Sequence, residues 1–320
     1  MPPEPDAASL GPMRILVALG GNALLRRGEP ADVETQRRNV EGAVAGLADV
    51  AAEHDLILTH GNGPQVGLLA LQSEAYTDVR PYPLDVLDAE SEGMVGHLLE
   101  LALRNRLPER EIATLLTETV VDADDPAFAE PSKSIGPVYT AAQASRLRGE
   151  RGWAIGRDGE AWRRLVPSPQ PRAIAELRPL RLLVDAGVLV ICAGGGGIPV
   201  AVGADGRLRG VEGVVDKDLT AALLARRLEA DLLLMLTDVD AVHLGWGTER
   251  DHPLRGAQPD QLREMSFAAG SMGPKVDAAC RFVEATGMPA AIGALTDAAA
   301  IVRGEAGTRI SVPSVEATVV

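Results

Sequence analysis

The sequence predicts a doubly wound α/β domain with one large excursion, and three observations carry that prediction. Five short apolar runs each end in Gly, Asn, Thr or Asp, stretches of helical periodicity separate them, and one segment breaks the rhythm. At 320 residues, with 46% apolar and only 3% aromatic residues, the core has to be built from Ala, Val, Leu and Ile.

The runs are Ile15 to Leu19, Leu56 to Thr59, Val188 to Ala193, Leu232 to Leu236 and Ala290 to Ile292. Each reads as a parallel strand covered on both faces, since such strands are continuously apolar rather than alternating. The helical stretches are Val33 to Glu53, Leu84 to Asn105, Arg172 to Ala186, Leu219 to Glu229 and Val276 to Thr286. From about residue 122 to 171 the chain is rich in Pro and Gly, contains the turn Arg157-Asp158-Gly159, and carries Trp153 and Trp162. It reads as a hairpin-bearing subdomain or lid. A second hairpin is expected at Asp205-Gly206.

Composition narrows the function. A net charge of -14 disfavours nucleic acid and anionic membrane surfaces as partners, while leaving room for a local basic pocket. The longest apolar runs, such as Leu182 to Ala193, are far shorter than the roughly 20 residues of a membrane span. Met1 to Pro12 lacks the basic start and apolar centre of a signal peptide and reads as a disordered extension. Two cysteines, Cys192 and Cys280, suit a reduced, cytoplasmic protein without a disulfide framework.

Ligands of open α/β sheets bind beyond the carboxyl ends of the strands. Gly20-Gly21-Asn22, Gly61-Asn62-Gly63-Pro64 and Gly194-Gly195-Gly196-Gly197 all follow strand ends here. Glycine lets backbone N–H groups approach a phosphate, and it also makes tight turns; each loop alone fits either use. None has Walker-loop spacing, and Pro199 follows the four glycines where a dinucleotide-binding loop would open a helix.

Of 31 basic residues only Lys133, Lys217 and Lys275 are lysine, and the rest are arginine. In so arginine-rich a chain, the retained lysines mark places where a compact, rotatable ammonium is needed. Phosphoryl transfer uses such point cations with oriented N–H donors and Mg2+. Asp216 and Asp218 flank Lys217, where they can hold its ammonium, cap the helix starting near Leu219, or do both. Thr237-Asp238-Val239-Asp240 closes a strand where a nucleotide's ribose or purine would lie, or simply turns the chain. The five histidines show no metal-ligand spacing, and there is no Gly-x-Ser-x-Gly elbow.

With these residues assembled, the chain from Met13 onward resembles the carbamate kinases of the amino acid kinase superfamily. The resemblance is carried in order by Val17 to Leu24, Thr59 to Gly67, Asp122 to Phe128, Lys133 to Pro137, Val166 to Pro169 and Ala193 to Val200, then by Asp216-Lys217-Asp218, Leu236 to Asp240, Gly270 to Lys275 and Ile292-Gly293. It implies a three-layer αβα sandwich around a mainly parallel eight-stranded sheet, with a protruding subdomain carrying Lys133, and a homodimer. It further implies that Lys133 and Lys217 contact the transferring phosphoryl group, Lys275 contacts the nucleotide phosphates, and Asp216 orders the lysines.

The Gly20-Gly21-Asn22 and Gly61-Asn62-Gly63 loops would hold carbamate and the phosphoryl group, with Gly195 and Gly196 beside them; Thr237, Asp238, Val239 and Met272 would hold the nucleotide. ATP or ADP and carbamate or carbamoyl phosphate would be the substrates, with Mg2+ carried mainly on the nucleotide phosphates. Glu92, Glu118 and His97 depart from the family's usual residues. The alternatives are another kinase of the superfamily and a non-catalytic nucleotide-binding regulatory protein.

Overall fold

Residue alternation along the first strand dictates a sheet buried on both faces. In β1 (Arg14–Leu19), Ile15, Val17 and Leu19 enter one apolar cluster while Leu16 and Ala18 enter the other. The computed structural model describes residues 11–21, 24–26, 28–249, 251–267 and 272–312. Asn22, Gly270, Ser271 and most of the N-terminal segment expected to be disordered lie outside the described residues.

After β1 come α1 (Val33–Glu53), β2 (Asp55–His60), α2 (Gly63–Ala75), α3 (Leu84–Arg106), β3 (Ile112–Leu115) and β4 (Glu118–Val121). The excursion contains β5 (Lys133–Tyr139), α4 (Ala141–Arg151), β6 (Ile155–Asp158) and β7 (Ala161–Val166), and β8 (Pro171–Ile174) follows it. Next are α5 (Leu177–Asp185), β9 (Leu189–Cys192), β10 (Ile198–Val202), β11 (Leu208–Gly210) and α6 (Lys217–Arg227). The chain closes with β12 (Leu232–Thr237), β13 (Val242–Leu244), β14 (His252–Leu254), β15 (Gly256–Ala257), α7 (Pro259–Arg263), α8 (Met272–Thr286), β16 (Ala290–Ala294), α9 (Ala298–Val302) and β17 (Thr308–Ile310).

The main sheet has eight strands in the order β15-β17-β16-β12-β1-β2-β9-β3. From β16 across to β3 every pairing is parallel, and β17 is antiparallel to β16. Side chains of α1, α3 and α9 pack on one face, and those of α5, α6, α7 and α8 on the other. The fold is therefore the three-layer αβα sandwich around a mainly parallel eight-stranded sheet. Strand order reverses at β1, which lies between β2 and β12, and a crevice opens at that switch point.

All five expected strands are present. The helix expected over 172–186 is shorter, because β8 takes residues 171–174 to pair antiparallel with β4. Pro179 sits in the first turn of α5, where a missing N–H costs nothing. The Asp205-Gly206 turn joins antiparallel β10 and β11, with Gly206 at φ 77°, a left-handed conformation that favours glycine.

A four-stranded sheet, β11-β10-β4-β8, carries the excursion. Asp125 joins the two ends of the excursion: its Oδ1 accepts from the backbone N–H of Ala127 and its Oδ2 from that of Gln170, each at 2.9 Å. Beyond lies a three-stranded sheet, β5-β7-β6, with α4 against it around Ala144, Leu147 and Ile155. Arg148 and Arg157 stack on Trp162, and Arg151 and Arg164 on Trp153, at 4.3 to 5.4 Å from the ring centres. Glu74 of α2 forms ion pairs with Arg151 and Arg164 across to this lid.

The lid strand β5 crosses α2 at two glycines. A Cβ added to Gly67 would lie 1.9 Å from the Cα of Gly136, and Gly136 itself has φ 71°. Neither backbone can yield without moving the lid off α2. Gly67→Ala is therefore expected to destabilise the protein by about 1–3 kcal/mol in urea unfolding, the range typical of overpacking.

Candidate active site

Four loops meet at the carboxyl edge of the sheet and enclose a cleft of about 970 Å³. Gly20 and Gly21 follow β1, Gly61 to Pro64 follow β2, Gly195 follows β9, and Thr237, Asp238 and Val239 end and follow β12; all of them line it. The first two loops touch backbone to backbone: a Cβ on Gly61 would fall 2.9 Å from the N atom of Gly21 and 3.5 Å from Cε of Lys217. Only glycine permits that approach. Asn62 caps the start of α2, so the positive end of that helix faces the cleft.

The three lysines arrive from three different elements. Lys133 begins β5 of the lid, Lys217 begins α6, and Lys275 lies in the first turn of α8. Two carboxylates stand between them. Asp216 divides its oxygens: Oδ1 accepts from the backbone N–H groups of Asp218 and Leu219 at 2.9 and 3.4 Å, capping α6, while Oδ2 accepts from Lys133 Nζ at 2.5 Å. Asp218 accepts from Lys217 Nζ at 2.5 Å through Oδ1 and from Lys275 Nζ at 3.0 Å through Oδ2. Asp216 is thus hydrogen-bonded to Lys133, whereas the hydrogen bonds that order Lys217 and Lys275 come from Asp218. The resemblance gave the ordering of the lysines to Asp216 alone, whereas the flanking position of Asp218 in the sequence already allowed it to hold the Lys217 ammonium.

Burial sets the electrostatics. It pulls the Lys217 ammonium down to about 8, against the attraction of Asp218. Burial opposes ionisation of Asp218 too, but the ammonium groups of Lys217 and Lys275 outweigh it and hold the carboxylate well below its usual range. Asp216 is lowered in the same way, with burial overcome chiefly by Lys133. Lys275 is raised, since Asp218 outweighs its burial.

Beneath the loops lies a layer of buried polar side chains that sequence reasoning did not assign to the site. His60 is fully buried, its Nδ1 lies 3.1 Å from the Gly61 carbonyl, and burial with help from Lys217 lowers it to about 4, so the ring is neutral. Burial pushes Glu92 up to about 8 and Asp88 well above the usual carboxylate range. Of the three departures from the family's usual residues, Glu92 lies under the Gly194 loop, His97 is exposed on α3, and Glu118 begins β4; none lines the cleft.

At the other end, His243, Trp246, Phe267 and Met272 complete the walls around Thr237 to Val239. His243 bridges two carboxylates, Asp251 at 2.6 Å and Asp240 at 2.8 Å, which raise it in spite of its desolvation. Arg163 of the lid also lines the cleft. Gly196, expected beside the substrate, is not among the lining residues. Its carbonyl instead accepts from Thr119 and Thr220, tying the loop after β9 to the start of α6.

Residues 13–294 match the Amino acid kinase family. The chain belongs to that family. It is 56% identical over 302 residues to the carbamate kinase of Rhizobium meliloti, covering 93% of each chain, and 53% identical over 300 residues to that of Haemophilus influenzae, covering 93% and 97%. The solved carbamate kinase of Giardia lamblia bound to citric acid superposes with a TM-score of 0.89 at 38% identity, over 96% of this chain and 99% of that one. Within the family, the chain belongs to the carbamate kinases. N-acetylglutamate synthase from Neisseria gonorrhoeae, 15% identical with a TM-score of 0.56, shares the fold alone.

Cys192 and Cys280 are both free and both buried outside the cleft, and burial raises each thiol. A thiol-specific chromogenic reagent is expected to find no reactive cysteine in the native protein and two after denaturation, as read by absorbance.

Proposed function

We infer that this protein is a carbamate kinase, an enzyme that transfers the γ-phosphoryl group between ATP and carbamate to interconvert them with ADP and carbamoyl phosphate. The observation that carries the reading is the convergence of the chain's three lysines, each ordered by a carboxylate, where the loops after β1, β2 and β9 meet the nucleotide-sized cleft.

In the mechanism we propose, a carbamate oxygen attacks the γ-phosphorus in line with the departing ADP oxygen. Lys133 and Lys217 meet the equatorial oxygens of the transferring group, and Lys275 meets the nucleotide phosphates. The Gly20-Gly21 and Gly61 loops supply N–H donors to the carbamate and the phosphoryl group, and Thr237 to Val239 with Met272 hold the nucleoside. Carbamate is already an anion, so no general base is required, and orientation with charge neutralisation supplies the catalysis. The lid, which brings Lys133, shields the reaction from water when closed.

Among the described residues no group of three or more His, Cys, Asp or Glu side chains is placed to hold a metal ion. Asp216 and Asp218 are already committed to lysines. This donor set fits Mg2+ arriving on the nucleotide phosphates with much of its water shell, as that ion prefers. When bound there, Mg2+ neutralises part of the phosphate charge.

The same reading includes a homodimer, supported by exposed Val86 and Leu101 on α3 and by exposed Leu116, which abuts Gly93 of that helix. It also includes the cytoplasm as the location, where Cys192 and Cys280 stay reduced, and net ATP synthesis during arginine breakdown as the physiological direction. No helix among the described residues is long and apolar enough to cross a membrane.

The test is ATP formation from carbamoyl phosphate, ADP and Mg2+. Lys217→Ala and Lys133→Ala are each expected to lower kcat by about 10²–10³ with the protein still folded, and unchanged turnover in both would overturn the site. The pH profile gives a second check. Because the ammonium of Lys217 is the working form and its burial brings it to about 8, kcat/KM for carbamoyl phosphate is expected to fall as pH rises through that value. A profile flat to pH about 10, the ordinary lysine range, would remove Lys217 from this role.

A further inference from the structure

The buried stripe of α3 changes character beneath the cleft. Leu84 and Leu87 at one end and Val95, Leu99 and Leu103 at the other are apolar, as a core-facing stripe should be. Between them Asp88, Ser91 and Glu92 are equally buried and polar. A carboxyl group is costly in such a place unless it is hydrogen-bonded, so the partners of these residues reveal what keeps them there.

Those partners are the two substrate loops and, beside them, Thr117 between β3 and β4. The amide Nδ2 of Asn62 donates to Asp88 Oδ1 at 3.0 Å and to Ser91 Oγ at 2.8 Å, which fixes the loop after β2. Glu92 Oε1 accepts from the N–H of Gly194 at 2.9 Å, and its Oε2 accepts from that of Thr117 at 3.2 Å, which fixes the loop after β9. The loops are also packed on each other: a Cβ on Gly195, which has φ 70°, would fall 2.1 Å from Nδ2 of Asn62. One turn of one helix therefore grips both loops from below, and none of its three polar side chains lines the cleft. The nucleotide end is built from other parts of the chain, the segment after β12 and the start of α8.

We propose that Asp88, Ser91 and Glu92 are positioning residues for the small-anion half of the cleft: through Asn62 and Gly194 they set the spacing of the two loops. That spacing fixes the affinity for carbamate and carbamoyl phosphate and leaves the affinity for ADP alone. The kinetic consequence rests on the carbamate kinase reading, while the grip on the loops does not.

The experiment has two readouts on Asp88→Ala, Glu92→Ala, Asp88→Asn and Glu92→Gln. Without substrates, amide hydrogen exchange at Thr117, Gly194 and residues 61–63 is expected to quicken in the alanine variants. In the ATP-forming assay the same variants should raise KM for carbamoyl phosphate about tenfold, the effect of a lost buried hydrogen bond. KM for ADP should stay within about twofold, as for independent sites. Asp88→Asn keeps an acceptor for Asn62 and should restore the wild-type values.

A lowered melting temperature alone, unchanged exchange in both loops, or an equal rise in both KM values would overturn the proposal. Should the alanine variants not fold, Glu92→Gln decides. It keeps an acceptor for Gly194 but turns an amide N–H toward that of Thr117, and is expected to raise KM for carbamoyl phosphate about threefold and quicken exchange at Thr117. Wild-type behaviour in both measurements would refute it. A wild-type protein that makes no ATP would overturn the kinase reading, and the exchange data would still decide the positioning role.

Discussion

Everything at the cleft depends on keeping three ammonium groups together in a partly dry crevice before any substrate arrives. Unpaired like charges a few ångströms apart would repel one another strongly where water is scarce. The chain solves this by alternation: Asp216 holds Lys133, and Asp218 sits between Lys217 and Lys275. Three positive and two negative charges leave one positive charge in excess, enough to favour an anion without making the empty site unstable. Removing one member of such a buried array strands its partner at a cost of roughly 3–5 kcal/mol, which makes Asp218, the partner of two lysines, the most consequential carboxylate there.

The scaffold turns that array into a cleft by placing loop ends with little slack. β1 sits at the switch point, so the loops after β2 and β9 lie on one side of it and the loop after β12 on the other. Glycines 21 and 61 let the first two backbones touch beside Lys217. The Gly196 carbonyl, bonded to Thr220, then anchors the turn of α6 that carries Asp216, Lys217 and Asp218. The lysines are thus located by the backbone of the loops as much as by their own partners.

Much of this was legible in the sequence because it follows from short-range regularities. Five apolar runs gave strands buried on both faces, and α1 spans the same Val33 to Glu53 that the periodicity marked. The scarcity of lysine singled out three residues more than 50 positions apart that meet in one cleft. What could not be read depends on long-range pairing. Residues 172–174 carry a helical pattern weak enough for pairing with β4 to override it. That the Gly196 carbonyl accepts from Thr119 and Thr220, 77 and 24 residues away, is visible only in the fold. Asp88 and Glu92 interrupt an apolar stripe, which is a visible signal, but the two loops that satisfy them are joined to α3 only by the fold.

The stacked arginines of the lid have a consequence for how substrates arrive. Residues 133–166 hold seven basic and three acidic side chains in a protein whose net charge is -14. Four of those guanidinium groups lie on tryptophan faces, contacts that leave their charge in place. To an approaching polyanion the body of the molecule is a repulsive surface and the lid an attractive one. The field therefore guides nucleotide and acyl phosphate toward the subdomain that bears Lys133, and encounter slows as added salt screens it.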